Sequence, residues 1–135
     1  MSTADAMHLK IVIPTRTLVD RDVRRVMAEG LDGAFGLLPN HVDLVAALVP
    51  GLLAFTSGNG EETLLALDVG VLVKNAAAVT VAARDGIMGD SADSLRETVQ
   101  SRFRRLDQRE RKARTAVARM EAAFVSRFLE SREHA

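Results

Sequence analysis

All three prolines and eight of the nine glycines lie before position 87, and neither residue type occurs again after Gly89. Proline and glycine punctuate short elements and interrupt helices. The first two-thirds of this 135-residue chain can therefore turn often, and the last third has no residue to turn on. Within the turn-rich part, apolar runs of about 4–7 residues recur with turn signals every 8–12 or so, as an antiparallel sandwich or barrel requires. Residues 9–13 end at Pro14, residues 33–38 end at Pro39, and Pro50-Gly51 reads as a further turn. Residues 52–56 run into Ser57-Gly-Asn-Gly60, a hairpin signal, and residues 63–67, 69–74 and 77–83 follow. Residues 18–23 and 25–29 are weaker strand candidates. The pattern predicts an all-β N-terminal sandwich of about 8–10 short antiparallel strands over residues 1–88, followed by an α-helical C-terminal arm over residues 89–135.

The arm opens on Ser94-Leu-Arg-Glu97, a capping box in which Ser94 takes an orphan amide and Glu97 bonds back. Apolar residues then fall at Val99, Phe103, Leu106, Ala113, Val117, Met120 and Phe124. From Phe103 the spacing alternates three and four, with Glu110 in one slot, which is a heptad stripe that seeks a helical partner. The other faces carry an arginine-rich run from Arg102 to Arg114. A single helix of about 38 residues would reach about 57 Å. The absence of Gly, Pro and Asn favours that form, and a hairpin breaking around residues 105–107 is the competing one.

Charge divides the chain at the same place. Residues 1–89 hold 7 basic and 10 acidic side chains, and residues 90–135 hold 11 and 8, so a basic tail follows an acidic body although the totals cancel. No cysteine is present, which removes disulfides, thiolate nucleophiles and thiolate metal sites. No apolar run approaches the roughly 20 residues that span a bilayer, and residues 1–8 lack the marks of a signal peptide. The expectation is a cytoplasmic protein with no direct membrane insertion. With five Phe and no Trp or Tyr there is little material for base stacking, so nucleic acid is not an expected partner.

Two segments carry a resemblance. Gly33-Ala-Phe-Gly-Leu-Leu-Pro-Asn-His41 and Leu44-Val-Ala-Ala-Leu-Val-Pro-Gly51 are similar to the signature of the epsilon subunits of F-type rotary ATP synthases. That signature runs roughly Gly-x-Phe-Gly-Ile-Leu-Pro-Gly-His, a short apolar stretch, then Pro-Gly and a strand. Gly70-Val-Leu-Val-Lys74 and Val79-Thr-Val-Ala-Ala83 match its last sandwich strands, and a charged helical tail completes the order from about residue 7 to residue 129. Asn40 stands where the pattern has Gly, Val42-Asp43 where it has Ala-Pro, and Ile13-Pro14 where it has Thr-Pro. Asn tolerates the left-handed turn. Together the departures point to a divergent branch, such as the alternative bacterial ATPases that translocate Na⁺ or H⁺.

The resemblance implies a rotor subunit at the foot of the central stalk, on the cytoplasmic face of the bacterial plasma membrane. Its implied partners are the gamma subunit, the c-ring and the alpha/beta catalytic hexamer, and its arm is implied to restrain ATP hydrolysis in many relatives. Residues Leu38, Pro39, Asn40 and His41 form the segment that would meet gamma or the c-ring. His41 either bonds gamma or satisfies backbone in the turn after Pro39. Arg104, Arg105 and Arg109 either clamp acidic loops of the hexamer or belong to a solvated helix face, since interface charges steer more than they hold.

No cofactor, nucleotide, metal or catalytic site is expected. The chain has no Gly-x-x-x-x-Gly-Lys-Ser/Thr loop. Leu106-Asp-Gln-Arg109 resembles the start of a regulatory ATP motif of some epsilon subunits, but Glu110 replaces its Ala and would repel phosphate. Glu29, Asp32 and Asp43 lack the order of a calcium loop, and His8, His41 and His134 lack zinc spacing. Without a nucleophile, base and orienting partner in a recognisable set, an enzyme is not supported. The alternative function is a protein- or nucleic-acid-binding adaptor using the basic amphipathic helix, although a bZIP would place its basic stretch before the zipper rather than through it.

Overall fold

The computed structural model describes residues 6–133, and the side chains of Leu106, Asp107, Phe124 and residues 128–133 lie outside its description, as does His134. Nine strands come first: β1 (Met7–Ile13), β2 (Arg16–Val23), β3 (Arg25–Gly30), β4 (Gly33–Leu37), β5 (Leu44–Thr56), β6 (Glu62–Leu67), β7 (Gly70–Asn75), β8 (Ala78–Ala83) and β9 (Gly86–Gly89). Alternation builds them: Met7, Leu9 and Ile11 of β1 are buried while His8 and Lys10 are exposed, and β8 repeats this with Val79, Val81 and Ala83. The strand path is β2-β1-β8-β7-β5-β3-β4, with β6 joined to β5 and β9 joined to β6. All pairings are antiparallel except β1 with β8, which run parallel through His8↔Ala78 to Val12↔Ala82.

β5 makes this one continuous ladder into two packed layers. Leu44 to Leu48 pair with β7, and Gly51 to Thr56 pair with β6. Between these halves the register with β3 jumps from Gly30↔Leu48 to Ala28↔Leu53, a bulge at which the strand bends from one layer into the other. Pro50 and Gly51 sit at that bend, inside β5, rather than in a turn between strands. Proline has no ladder donor to lose there, and a β-carbon on Gly51 would collide with the Glu29 side chain. The core between the layers contains Leu9, Ile11, Leu72, Val79 and Val81 from one side and Val26, Leu37, Leu53, Phe55 and Leu65 from the other.

Short connections follow local chemistry. After Ser57, Gly58-Asn-Gly60 closes the β5–β6 hairpin: Gly60 N donates to Ser57 O at 3.0 Å, and Gly60 takes φ +89°. That is the type I turn with a left-handed residue expected of a three-residue hairpin loop. The β6–β7 and β8–β9 corners run side by side, with Asp68 N bonded to Asp85 O and Arg84 N bonded to Val69 O. Asp68, 1% exposed, receives a two-point bond from Arg84 at 2.7 and 3.0 Å and the amide of Val69 at 2.7 Å.

Helical segments follow without an intervening turn: α1 (Ala92–Thr98), a π-helical stretch (Val99–Arg104) and α2 (Arg105–Glu133). The arm is thus a single helix, not a hairpin broken near residues 105–107. Its N-cap is Ser91, three residues before the expected Ser94; the Ser91 hydroxyl accepts from Ser94 N at 3.2 Å. Leu95, Val99 and Phe103 are buried together with Ala66 and pack on Leu52, Leu64 and Ile87. Their spacing of four overshoots a 3.6-residue turn, and the wider i→i+5 turn of the π stretch takes up the excess. Arg102 also bonds Asp85 at 2.9 Å. Residues up to Arg104 form one compact unit, and residues from Arg105 onward form a second.

Candidate partner-binding surface

The two layers differ in what covers their outer faces. Leu52, Leu64, Ala66 and Ile87 lie under the chain's own α1 and π-helical residues. On the other layer, Val45 of β5 stands opposite Val73 of β7, and Ala47 opposite Val71. All four point outward, and Val45 is 73% exposed. Across β7 the next neighbours are Thr80 and Ala82 of β8. This is an aliphatic sheet face with no covering among the described residues, the kind of surface that marks an interaction site.

Residues 38–43 join β4 to β5 at the edge of that face. Leu38, Asn40 and His41 are exposed and Pro39 is half-buried. His41 N donates to Leu38 O at 3.0 Å, which makes the segment a tight turn. The His41 ring bonds Val42 O through Nδ1 at 2.8 Å. The four residues singled out from the sequence are therefore together on the surface, beside the exposed Val42 and Val45.

A buried ammonium group holds the turn from beneath. Lys74 is only 2% exposed, and its Nζ donates to His41 O at 2.6 Å and to Ala76 O at 2.7 Å. Ala76 N in turn donates to Asp43 Oδ1 at 2.7 Å. Ala76 has φ +54°, the left-handed region, and among the described residues no other non-glycine has a positive φ. Sequence reasoning did not place Val42, Asp43, Val45, Val71, Val73 or Lys74 at this surface. The alternation in Gly70-Val-Leu-Val-Lys74 was a signal for the outward valines; the backbone bonds of Lys74 left none.

Arg104 closes the first unit, Arg105 and Arg109 lie on α2, and all three are exposed. On α2, Val117 and Met120 of the expected apolar stripe are exposed, whereas Val99 and Phe103 belong to the packed seam of the first unit. Leu106 and Phe124 of the stripe and Asp107 of the arginine run lie outside the described side chains. Among the described residues, no three His, Cys, Asp or Glu side chains converge on a common ion position. His8 contacts two carboxylates, Asp22 through Nδ1 at 2.8 Å and Asp20 through Nε2. Those hydrogen bonds, Asp22 first and Asp20 second, raise its pKa above the ordinary histidine value. Among the described residues, no helix is long and apolar enough to cross a membrane.

Residues 6–89 match the family model described as ATP synthase, Delta/Epsilon chain, beta-sandwich domain. The chain belongs to the ATP synthase epsilon-chain family. The ATP synthase epsilon chain of Wolinella succinogenes is 34% identical over 72% of this chain and 73% of its own length. The ATP synthase epsilon chain 2 of Paraburkholderia xenovorans is 31% identical over 91% of this chain and 90% of its own, so that likeness extends into the arm. Among solved structures, a chain of the Euglena gracilis mitochondrial ATP synthase OSCP/F1/c-ring assembly superposes with a TM-score of 0.61 at 16% identity, over 70% of this chain and 61% of that one. At that identity the likeness is one of fold, and it is the epsilon sandwich fold that these strands build.

Proposed function

We propose that this epsilon-family chain is a non-catalytic rotor subunit in the central stalk of an F-type ATP synthase, coupling ion translocation to ATP synthesis and hydrolysis. In this reading the sandwich binds the gamma subunit and the c-ring, through the 38–43 turn and the valine face beside it. The observation that carries it is the asymmetry of the two layers: one outer face is packed under the chain's own helix, and the other offers Val45, Val71 and Val73 without cover. Membrane attachment is then made through partners, on the cytoplasmic face of the bacterial plasma membrane. The basic arm, with Arg104, Arg105 and Arg109 exposed, faces the alpha/beta hexamer and restrains hydrolysis by charge. No regulatory ATP is held at residues 106–109, because Glu110 opposes phosphate.

The test is recovery of tagged protein from native membranes. Gamma, c, alpha and beta subunits should be retained with the parent chain and lost with Val45→Glu/Val73→Glu. A preparation free of those subunits, from cells that make the synthase, would remove the assignment. Replacing Arg104, Arg105 and Arg109 together with Gln should raise ATPase activity of the assembled enzyme; unchanged activity would leave the arginines a solvated face.

A further inference from the structure

Turns at a docking surface gain affinity when they are held in the bound shape before the partner arrives, because the cost of ordering them is then already met. The 38–43 turn is held by Lys74, which is buried, and by Asp43, whose carboxylate accepts from the Ala76 amide. Lys74 lies on the inward face of β7, in line with the core residue Leu72, and its ammonium closes that end of the sandwich by bonding two carbonyls from different loops. The carbonyl of His41 belongs to the motif turn, and that of Ala76 to the β7–β8 turn. Asp43 completes the loop from the other side by accepting the Ala76 amide. A left-handed alanine is unfavourable without such support, and here it is bonded at both its N–H and its C=O.

The Asp43–Ala76 hydrogen bond joins the two turns across 33 residues.

We propose that Lys74 and Asp43 are positioning residues for partner binding, which pre-form the 38–43 turn and present Leu38 and Val42 without touching the partner themselves. This rests on the reading that the turn is a contact surface of the stalk.

The experiment measures affinity of the full chain for a gamma–c-ring assembly purified without it, alongside the unfolding midpoint of each variant. Asp43→Ala and Lys74→Met should each weaken binding of the folded protein by about tenfold, and Asp43→Ala should speed amide exchange at Ala76. Asp43→Asn keeps the acceptor oxygen and should bind as the parent does. A merely structural role would lower the midpoint and leave affinity of the folded fraction unchanged. If Val42→Glu weakens binding while folded Asp43→Ala and Lys74→Met bind like the parent, the positioning role is overturned and the surface reading stands. If Val42→Glu also binds like the parent, the turn is not the contact, and both fall. Should Lys74→Met fail to fold, the exposed Asp43 still decides the matter through its Ala and Asn variants.

Discussion

Truncating Phe103 to alanine tests whether the first helical turns belong energetically to the sandwich. The ring is fully buried, at the end of the seam that Leu95 and Val99 share with Ala66. Removing a buried Phe side chain costs about 3–5 kcal/mol, the transfer of the ring plus the cavity left behind. The packing of Arg102 over the ring, 5.8 Å from guanidinium to centroid, is half-exposed and adds little. A domain of this size has about 5–15 kcal/mol in total, so the loss should lower Tm by about 15 °C or more. Urea unfolding of the full chain, followed by far-UV circular dichroism, measures it. The docked segment is short, so its detachment sets a ceiling on the loss. If the ceiling is reached, helix signal should melt before sheet signal, and the m-value of the main transition should fall as less surface is exposed in it. Phe103→Leu should cost about 1–1.5 kcal/mol, and Val117→Ala, on the exposed stripe of α2, no more than about 0.5. A Phe103→Ala chain within 1 kcal/mol or so of the parent, with m unchanged, would refute the reasoning.

Arg84→Met should cost about 3–5 kcal/mol by leaving the Asp68 carboxylate buried without its cation; chemical denaturation of the purified chain checks this. Ala76→Gly should stabilise by about 0.5–1 kcal/mol, since relief of left-handed strain exceeds the added freedom of the unfolded chain; a lower unfolding midpoint than the parent would count against it. His8 gains carboxylate partners on folding, so its folded pKa lies above its unfolded one. Its contribution is therefore fully present below the ordinary histidine value, about 6.5, and is lost as pH rises through the folded value. The Tm difference between parent and His8→Gln should accordingly be positive in mildly acidic buffer and close as pH rises. Asp20→Asn/Asp22→Asn should lower the His8 pKa seen by NMR titration.

How far these features could be read beforehand depends on how local their causes are. The Gly58-Asn-Gly60 hairpin was legible because its conformation is set within three residues, by a backbone angle that glycine accepts. The helical arm was legible for the converse reason, the absence of any residue that stops a helix. Its start was misplaced by one turn because Ser91 and Ser94 are both good caps; in the fold Ser91 is the cap and Leu95 is already a buried helical residue. Pro50-Gly51 reads in sequence as a turn, because proline and glycine side by side punctuate short elements. In the fold it marks where β5 leaves one layer for the other, and only the pairing of β5 with both β6 and β7 reveals that.

The candidate site divides along the same line. The motif turn can be recognised from its own residues, but what makes it a surface lies elsewhere in the chain. Val73 is indistinguishable in sequence from a core valine, and its outward direction follows from a two-residue period whose phase is set by Leu72 and Lys74 facing inward. Lys74 would ordinarily be placed in solvent, since lysine is seldom fully buried without a partner. Its partners are main-chain carbonyls, one of them 33 residues away, and every residue has a carbonyl, so no pattern of side chains announces them. The bond couples the identity of residue 74 to the shape of a turn at residue 41. On the proposed reading of the turn, substitutions at positions 43, 74 and 76 that leave the exposed Leu38 and Val42 unchanged should therefore alter binding in ways that inspection of the motif alone would not anticipate.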